Sequence, residues 1–135
     1  MIRDMERMHN KFDVYEAVDD MDDETLRNFL KFRISCIQEE LSETAEAVAN
    51  HDAEETVDGL IDILVFTIGT LDLFEVDIAK AWKKVFDANM TKEIGIKTGR
   101  PNPYGLPDLT KPEGWEAPSH AHNHGILGEM FNGNK

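Results

Sequence analysis

Apolar residues recur every three or four positions through much of residues 3–90, which is the spacing of amphipathic helices. The clearest series contains no proline or glycine and consists of Leu26, Leu30, Ile34, Ile37, Leu41, Ala45 and Val48. It predicts one long helix whose single apolar stripe faces the core and which ends near Asn50. Aspartates in the polar segment 19–23 are suited to cap the first turn of this helix.

Three further helices are predicted around this long one. A short helix covers about 3–17, and after a turn at His51 and Asp52 a third helix covers about 53–73. The second half of that third helix is apolar almost all round, which predicts a central position in the fold. A fourth helix covers about 77–90. The residues that we expect to face inward on this fourth helix are Ile78, Ala81, Trp82, Val85 and Phe86.

The chain changes character after Lys92, because all five prolines and seven of the nine glycines follow it. No segment has the alternating apolar and polar pattern of a convincing strand. We therefore predict an all-α fold, with a four- to five-helix bundle over about 1–92 and an irregular tail over about 93–135. At 135 residues, the whole chain is expected to form a single domain over 1–135.

The charge of the chain excludes some partners. A formal net charge of −13 repels nucleic acid and anionic membranes, so neither is expected to bind. No apolar run approaches the ~20 residues that a membrane span needs, and no signal peptide is visible at the start. Cys36 is the single cysteine, which excludes an internal disulfide. These features together predict a cytoplasmic protein.

Acidic residues form the main candidate site. Asp62 lies inside an apolar run, where a carboxylate is costly to bury unless it is paired, hydrogen-bonded or bound to a metal. Asp58, four residues earlier, lies on the same helix face. One helix upstream, Glu39, Glu40 and Glu43 form an acidic arc, with Glu40 about 80° from the centre of the apolar stripe. If the two helices pack antiparallel, both acidic rows face one cavity.

An all-oxygen set of ligands favours a hard divalent cation, Mg²⁺ first and Mn²⁺ as a substitute. The residues predicted as metal ligands are Glu39, Glu40, Glu43, Asp58 and Asp62. Simpler interpretations stay open for each part. An arginine partner such as Arg33 would also explain Asp62, and a solvated helix face would explain the glutamates. The segment from His120 to His124 carries three alternating histidines, which suit either a transition metal or a solvated tail.

Two alternatives concern the protein as a whole. A carboxylate-bridged redox bundle needs two Glu-x-x-His motifs on facing helices, and only Glu6-x-x-His9 is present. A non-catalytic helical module would use the same acidic face to bind a basic protein partner.

Several segments resemble one known family. The segment Val85–Lys92, V-F-D-A-N-M-T-K, is similar to the segment ending Asn-Met-Ser-Lys in the all-α nucleoside triphosphate pyrophosphohydrolases, the MazG-like and phosphoribosyl-ATP-pyrophosphohydrolase-like group. Glu39-Glu40-x-x-Glu43, with an acidic pair one helix later, resembles the acidic signature of that group. The tail motif at 111–115, K-P-E-G-W, resembles phage and bacterial members. Together the resemblance covers roughly residues 26–118.

The resemblance implies a MazG-like bundle that hydrolyses a nucleoside triphosphate to the monophosphate and pyrophosphate, as a homodimer or homotetramer. It implies that Glu39, Glu40, Glu43 and Asp62 are metal ligands, and that Glu39 or Glu40 is catalytic and orients the attacking water. Where the usual second motif has glutamate, this chain has Gly59, and the adjacent Asp58 is the candidate replacement. The residues implied or suggested as nucleotide or phosphate ligands are Asn89, Lys92, Arg100 and Lys111.

Overall fold

The computed structural model describes residues 1–100, 102–105 and 107–132. Its helices are α1 (Ile2–Lys11), α2 (Val14–Asp19), α3 (Asp23–Ala49), α4 (Ala53–Leu73), α5 (Ile78–Met90) and α6 (Leu127–Asn132). Its strands are β1 (Glu93–Gly95) and β2 (Asp108–Thr110). The predominance of helix confirms the all-α class. None of the helices in the described ranges combines the length and apolar character needed to cross a membrane.

Contacts within the chain define two compact units, one of residues 1–78 with 124–135 and one of residues 79–123. The first unit contains α1 to α4 and α6, and the second contains most of α5 and both strands. The single domain over 1–135 stays a prediction.

The long helices begin and end where local sequence predicts. The side chain of Asp22 accepts a hydrogen bond from the backbone N–H of Thr25, and that of Asp52 accepts one from Glu55. Each aspartate therefore caps the first turn of a helix, α3 or α4, whose N–H groups have no partner inside the helix. Asn50 ends α3, as expected.

The predicted helix over 3–17 is wrong as a single element, because the chain bends at Asp13, where φ is +55°. The bend lets α1 and α2 reach the same side chain on α4. The Nδ1 atom of His9 lies 2.6 Å from Oδ2 of Asp72, and Tyr15 donates its hydroxyl to that oxygen at 2.6 Å. Burial and this hydrogen bond raise the pKa of Tyr15. His9, in the motif Glu6-x-x-His9, is thus buried against Asp72, while Glu6 is exposed.

The core of the first unit includes part of the predicted irregular tail. Phe29 and Phe74 stack with ring centroids 6.2 Å apart, and Met130 of α6 is only 1% exposed. Arg27 donates to the carbonyl of Met130 at 3.0 Å, which fixes α6 beside α3. The buried residues of this core are Val18, Leu26, Leu73, Phe74 and Met130. The prediction of a tail without regular structure is therefore wrong at α6.

The second unit also departs from the sequence predictions. β1 and β2 pair antiparallel with Ile94 opposite Leu109, although three-residue strands are too short to show an alternating pattern. None of the residues of α5 is buried, and Trp82 is 70% exposed. The inward orientation predicted for Trp82, Val85 and Phe86 is wrong within this unit, because its short strands and loops cover little of the helix.

The apolar stripe of α3 is also more exposed than predicted. Leu26 is buried, but Leu41 and Val48 are 59% and 57% exposed. The buried residues further along α3 are Thr44 and Ala47, so the face that meets α4 is rotated away from the stripe. This rotation brings the edge that carries Glu40 toward the contact between the two helices.

Candidate active site

The contact between α3 and α4 is tightest at Thr44 and Gly59. A Cβ atom on Gly59 would overlap Oγ1 of Thr44 and lie 3.2 Å from its Cβ, so only glycine allows this approach. Near the other end of the pair, Arg33 donates to Oγ1 of Thr70 at 3.0 Å. An early residue of α3 thus meets a late residue of α4, and the helices are antiparallel, as the acidic-site prediction required.

The acidic residues flank this tight contact. At 100° per residue, Glu40 lies about 40° from Thr44 around α3, and its backbone carbonyl accepts the Thr44 hydroxyl at 2.6 Å. Glu40 and Asp62 are both half-buried. The exposed members of the set are Glu39, Glu43 and Asp58. Each of the two helices therefore carries one half-buried carboxylate, and its other carboxylates are exposed.

The charges of the two acidic rows act on one another. Partial burial is the first cause that raises the pKa of Glu40, followed by the negative charges of Asp62, Glu43, Glu39 and Asp58. Burial and nearby negative charge both disfavour an ionised carboxylate. Since Asp58 and Asp62 belong to α4, the charges that act on Glu40 come from both helices.

Arg33 is not the partner of Asp62. Its guanidinium donates to Thr70 Oγ1 and to the carbonyl of Phe66, and it lies 4.9 Å from the centre of the Phe66 ring. Among the described residues, Asp62 forms no hydrogen bond and no ion pair. A half-buried carboxylate without such a partner is the costly arrangement that a cation relieves.

The five carboxylates fit a hard divalent cation in donor type. All donors are oxygen, and both rows belong to one seam between two helices. In the part of the chain that the structure describes, no three His, Cys, Asp or Glu side chains are gathered as a metal-binding group. Like charges favour such an open arrangement. Binding of a cation therefore requires side-chain movement toward it. The histidines at 120, 122 and 124 are likewise not gathered as a metal site.

The candidate phosphate ligands all belong to the second unit. Asn89 is exposed at the end of α5, and its carbonyl accepts the N–H of Lys92 at 3.1 Å. The ammonium groups of Lys92 and Lys111 lie 5.4 and 4.8 Å from the centre of the Trp115 ring. Arg100 is exposed and, within the described residues, forms no hydrogen bond or ion pair with the other three.

Sequence reasoning missed the role of Trp115. In the sequence, Trp115 stood out only as part of the tail motif. In the structure, its ring lies beside the ammonium groups of two of the four candidate phosphate ligands. A tryptophan four residues after a lysine in a proline-rich loop was the available signal. The pairing of Lys111 with Lys92, nineteen positions earlier, depends on how the loop folds.

Comparison with known families gives one match. The family model of phosphoribosyl-ATP pyrophosphohydrolase matches residues 8–89. The chain belongs to this family. Membership places it in the MazG-like all-α nucleoside triphosphate pyrophosphohydrolase superfamily and supports a pyrophosphohydrolase enzyme. Searches of curated proteins and of solved structures gave no match.

The matched range separates the two groups of candidate residues. It contains Asn89 and all five acidic residues, and it ends before Lys92, Arg100, Lys111 and Trp115. The acidic residues of α3 and α4 therefore lie in the part of the chain that the family model matches. The lysines around Trp115 lie outside the matched range.

Proposed function

We propose that this protein is a divalent-cation-dependent pyrophosphohydrolase that converts a nucleoside triphosphate to the monophosphate and pyrophosphate. The observation that carries the proposal is the electrostatic coupling of Glu40 on α3 to Asp62 on α4 across an antiparallel helix pair. Family membership supports the reaction class, and the unpaired state of Asp62 among the described residues supports the need for a cation.

Glu39, Glu40, Glu43, Asp58 and Asp62 would hold the cation, Mg²⁺ first and Mn²⁺ as a substitute. When bound, the cation neutralises phosphate charge and acidifies water. Glu39 or Glu40 orients the attacking water and accepts its proton. Glu40 is suited to this task because a raised pKa brings a carboxylate closer to the range of an effective general base.

The oxygen of water attacks the α-phosphorus, and the bond between that phosphorus and the oxygen bridging to the β-phosphate breaks. The electron pair of that bond leaves with pyrophosphate, and the water proton passes to the glutamate. Phosphoryl transfer depends mainly on position and charge neutralisation. We propose Asn89, Lys92, Arg100 and Lys111 as contacts for nucleotide or phosphate.

The family description favours a second substrate, phosphoribosyl-ATP. It carries the same anhydride bond, so the acidic residues would act in the same way on either molecule. A pyrophosphate-release screen across ribo- and deoxynucleoside triphosphates and phosphoribosyl-ATP separates the two. The substrate with the highest kcat/KM identifies the preferred one.

The decisive experiment compares pyrophosphate release by wild type, Asp62→Asn and Glu43→Gln in Mg²⁺. We expect each substitution to lower kcat/KM at least about 100-fold, because each removes a cation ligand. Glu46→Gln, an exposed change on the same helix, is the matched control and should retain wild-type turnover. Circular dichroism confirms that helix content is unchanged. Full activity in both site variants would end the proposal.

The alternative of a non-catalytic acidic module predicts no response to Mg²⁺ and nucleotide. A ligand at a hundredfold excess over its Kd adds about 2.7 kcal/mol to the free energy of unfolding. A thermal scan with and without Mg²⁺ and nucleotide in wild type therefore separates an enzyme from such a module. We expect a clear rise in Tm that chelation by EDTA reverses.

A further inference from the structure

Lys92 and Lys111 converge on Trp115 within the second unit. The Nζ atoms of both lysines lie within 5.4 Å of the centre of the same indole ring. Trp115 is half-buried, and its Nε1–H donates to the carbonyl of Ala88 in the last turn of α5 at 2.9 Å. The ring is therefore fixed at the end of a helix, and it holds two ammonium groups from distant parts of the loop.

Among the residues that the structure describes, no carboxylate forms an ion pair with either of these lysines. Lys83, for contrast, pairs with Asp87 at 2.6 Å on α5. Neither Lys92 nor Lys111 forms an ion pair with any described residue, although the chain carries a net charge of −13. Each exposed cation–π contact contributes about 0.5–1 kcal/mol. The two ammonium groups are at most about 10 Å apart, because each lies within 5.4 Å of the same ring centre, so their like charges repel and a bound anion would relieve this repulsion.

We propose that Trp115 positions Lys92 and Lys111 as a binding site for a polyphosphate anion, either inorganic pyrophosphate or the phosphates of a nucleoside triphosphate. The choice of ligand rests on the proposed function. Lysine binds phosphate as a compact charge, and two lysines held around one ring favour an anion with several charged groups over a single phosphate. Trp115 acts through the lysines and is a positioning residue.

Tryptophan fluorescence provides a direct test. The protein has two tryptophans, so Trp82→Phe leaves Trp115 as the only emitter. In EDTA and at fixed ionic strength, inorganic pyrophosphate should produce a saturable change in this background. Lys92→Ala and Lys111→Ala should each weaken the affinity about tenfold, the loss of one charged hydrogen bond. No saturable change would overturn the proposal.

Lys84→Ala is the matched control, because Lys84 is an exposed lysine of α5 that forms no cation–π contact with Trp115. It removes one positive charge, as each site variant does, and should leave the affinity for pyrophosphate unchanged. A loss equal to that of Lys111→Ala would show general charge attraction and would overturn the site.

The role of Trp115 is tested by calorimetry with pyrophosphate. Trp115→Phe keeps an aromatic ring but loses the donor to Ala88, whereas Trp115→Ala loses both. We expect the phenylalanine variant to bind nearly as wild type and the alanine variant to lose about tenfold in affinity. Equal losses in the two variants would show that the hydrogen bond matters and the ring does not, which would overturn the positioning role.

Parallel titrations with a nucleoside triphosphate, pyrophosphate and the free nucleoside distinguish the sources of phosphate. Tighter binding of the triphosphate supports a substrate site, and tighter binding of pyrophosphate supports a product site. Saturation by the nucleoside alone would overturn the polyphosphate assignment. If the protein hydrolyses a substrate but does not bind pyrophosphate in the absence of metal, this binding site is refuted and the proposed function is not. If it binds pyrophosphate but hydrolyses none of the substrates, the proposed function is refuted and the binding site is not.

Discussion

Thr44 and Gly59 fix the spacing of the two helices that carry the acidic residues. A Cβ atom at position 59 would overlap Oγ1 of Thr44, which is 6% exposed and bonded to the carbonyl of Glu40. The resemblance to known pyrophosphohydrolases places a glutamate at this position, and the structure gives the physical reason for its absence. A larger residue would separate α3 from α4 at the level of Glu40.

Gly59→Ala should therefore destabilise the protein. Overpacking costs about 1–3 kcal/mol, and the better helix propensity of alanine offsets up to about 1 kcal/mol, so the expected net loss is about 1 kcal/mol in the free energy of unfolding. Urea unfolding measures it. The double variant Thr44→Ala with Gly59→Ala removes the overlapping atom and should recover most of the loss. A stabilised single variant would contradict the tight contact.

The raised pKa of Glu40 predicts how stability depends on pH. The folded protein holds this proton more tightly than the unfolded chain does, because the carboxylate is partly buried and faces Asp62. Without divalent cation, stability should fall as pH rises from the ordinary glutamate pKa through the raised value, and it should then level off. Urea midpoints in EDTA from about pH 4 to about pH 8 measure this dependence.

Two variants separate Glu40 from other titrating groups. Glu40→Gln should remove this contribution, and Asp62→Asn should reduce it, since Asp62 is the first of the charges that act on Glu40. The affinity for Mg²⁺ should show the opposite trend and rise with pH over the same interval, because the cation competes with the proton. An affinity independent of pH in this interval would contradict a role for Glu40 as a ligand.

Exposed apolar side chains on α3 and α4 predict self-association. Six of them are between 43% and 62% exposed, and these are Leu41, Val48, Val57, Leu60, Ile61 and Leu64. Soluble monomers rarely leave so many large apolar residues in water on neighbouring elements. We expect a homodimer or homotetramer in which a second copy covers them. Sedimentation at micromolar concentration should show a species larger than 15.3 kDa.

A lysine at this surface should disrupt the assembly, because burial of an unpaired charge is costly. Leu60→Lys is expected to shift the protein toward monomer. Ile96→Lys, at a position that is 82% exposed in the second unit, is the control and should leave the assembly unchanged. A wild-type protein that sediments as a compact monomer would contradict the prediction.

Gly125 allows the last helix to join the core. Its φ is +53°, and a Cβ there would overlap the carbonyl oxygen of Phe74, which accepts the N–H of Ile126 at 3.1 Å. Gly125→Ala should lower the free energy of unfolding by at least about 2 kcal/mol, since left-handed backbone alone costs about 1–2 kcal/mol. It should also accelerate hydrogen exchange at the Ile126 amide.

Gly128→Ala is the control for this prediction. A Cβ at Gly128 would lie 3.7 Å from Cβ of His124, which is ordinary contact, and the residue lies in α6. The expected change is neutral or stabilising by up to about 1 kcal/mol. If both glycine variants had equal stability, the contact with Phe74 would not control the packing of α6.

Several features of the fold depend on residues that are close together in the sequence, and the sequence predicts these features. The bounds of α3 and α4 follow from helical periodicity and from caps such as Asp22 and Asp52, which act within three residues of the helix start. The site prediction is local in the same sense. Residues four apart share a helix face, so Asp58 with Asp62 and Glu39 with Glu43 were grouped before any packing was known.

Other features depend on contacts between distant residues. Periodicity does not reveal the bend at Asp13, because it follows from the attachment of both His9 and Tyr15 to Asp72, more than fifty residues away. Three-residue strands leave no pattern in the sequence and pair only when the loop returns. The rotation of α3 was missed for a similar reason, since Thr44 and Ala47, which α3 buries, are small residues outside the predicted apolar stripe.

By itself, the sequence determined the helical class, the extents of the two central helices and the identity of their carboxylates, because hydrogen bonds and side-chain spacing within a helix set all three. The tertiary structure decided which face of α3 meets α4, through the lack of a side chain at Gly59. It also decided which lysines meet, through the place of Trp115. Both contacts join residues that are far apart in the sequence and depend on the shape and charge of the side chains, which helical periodicity does not describe.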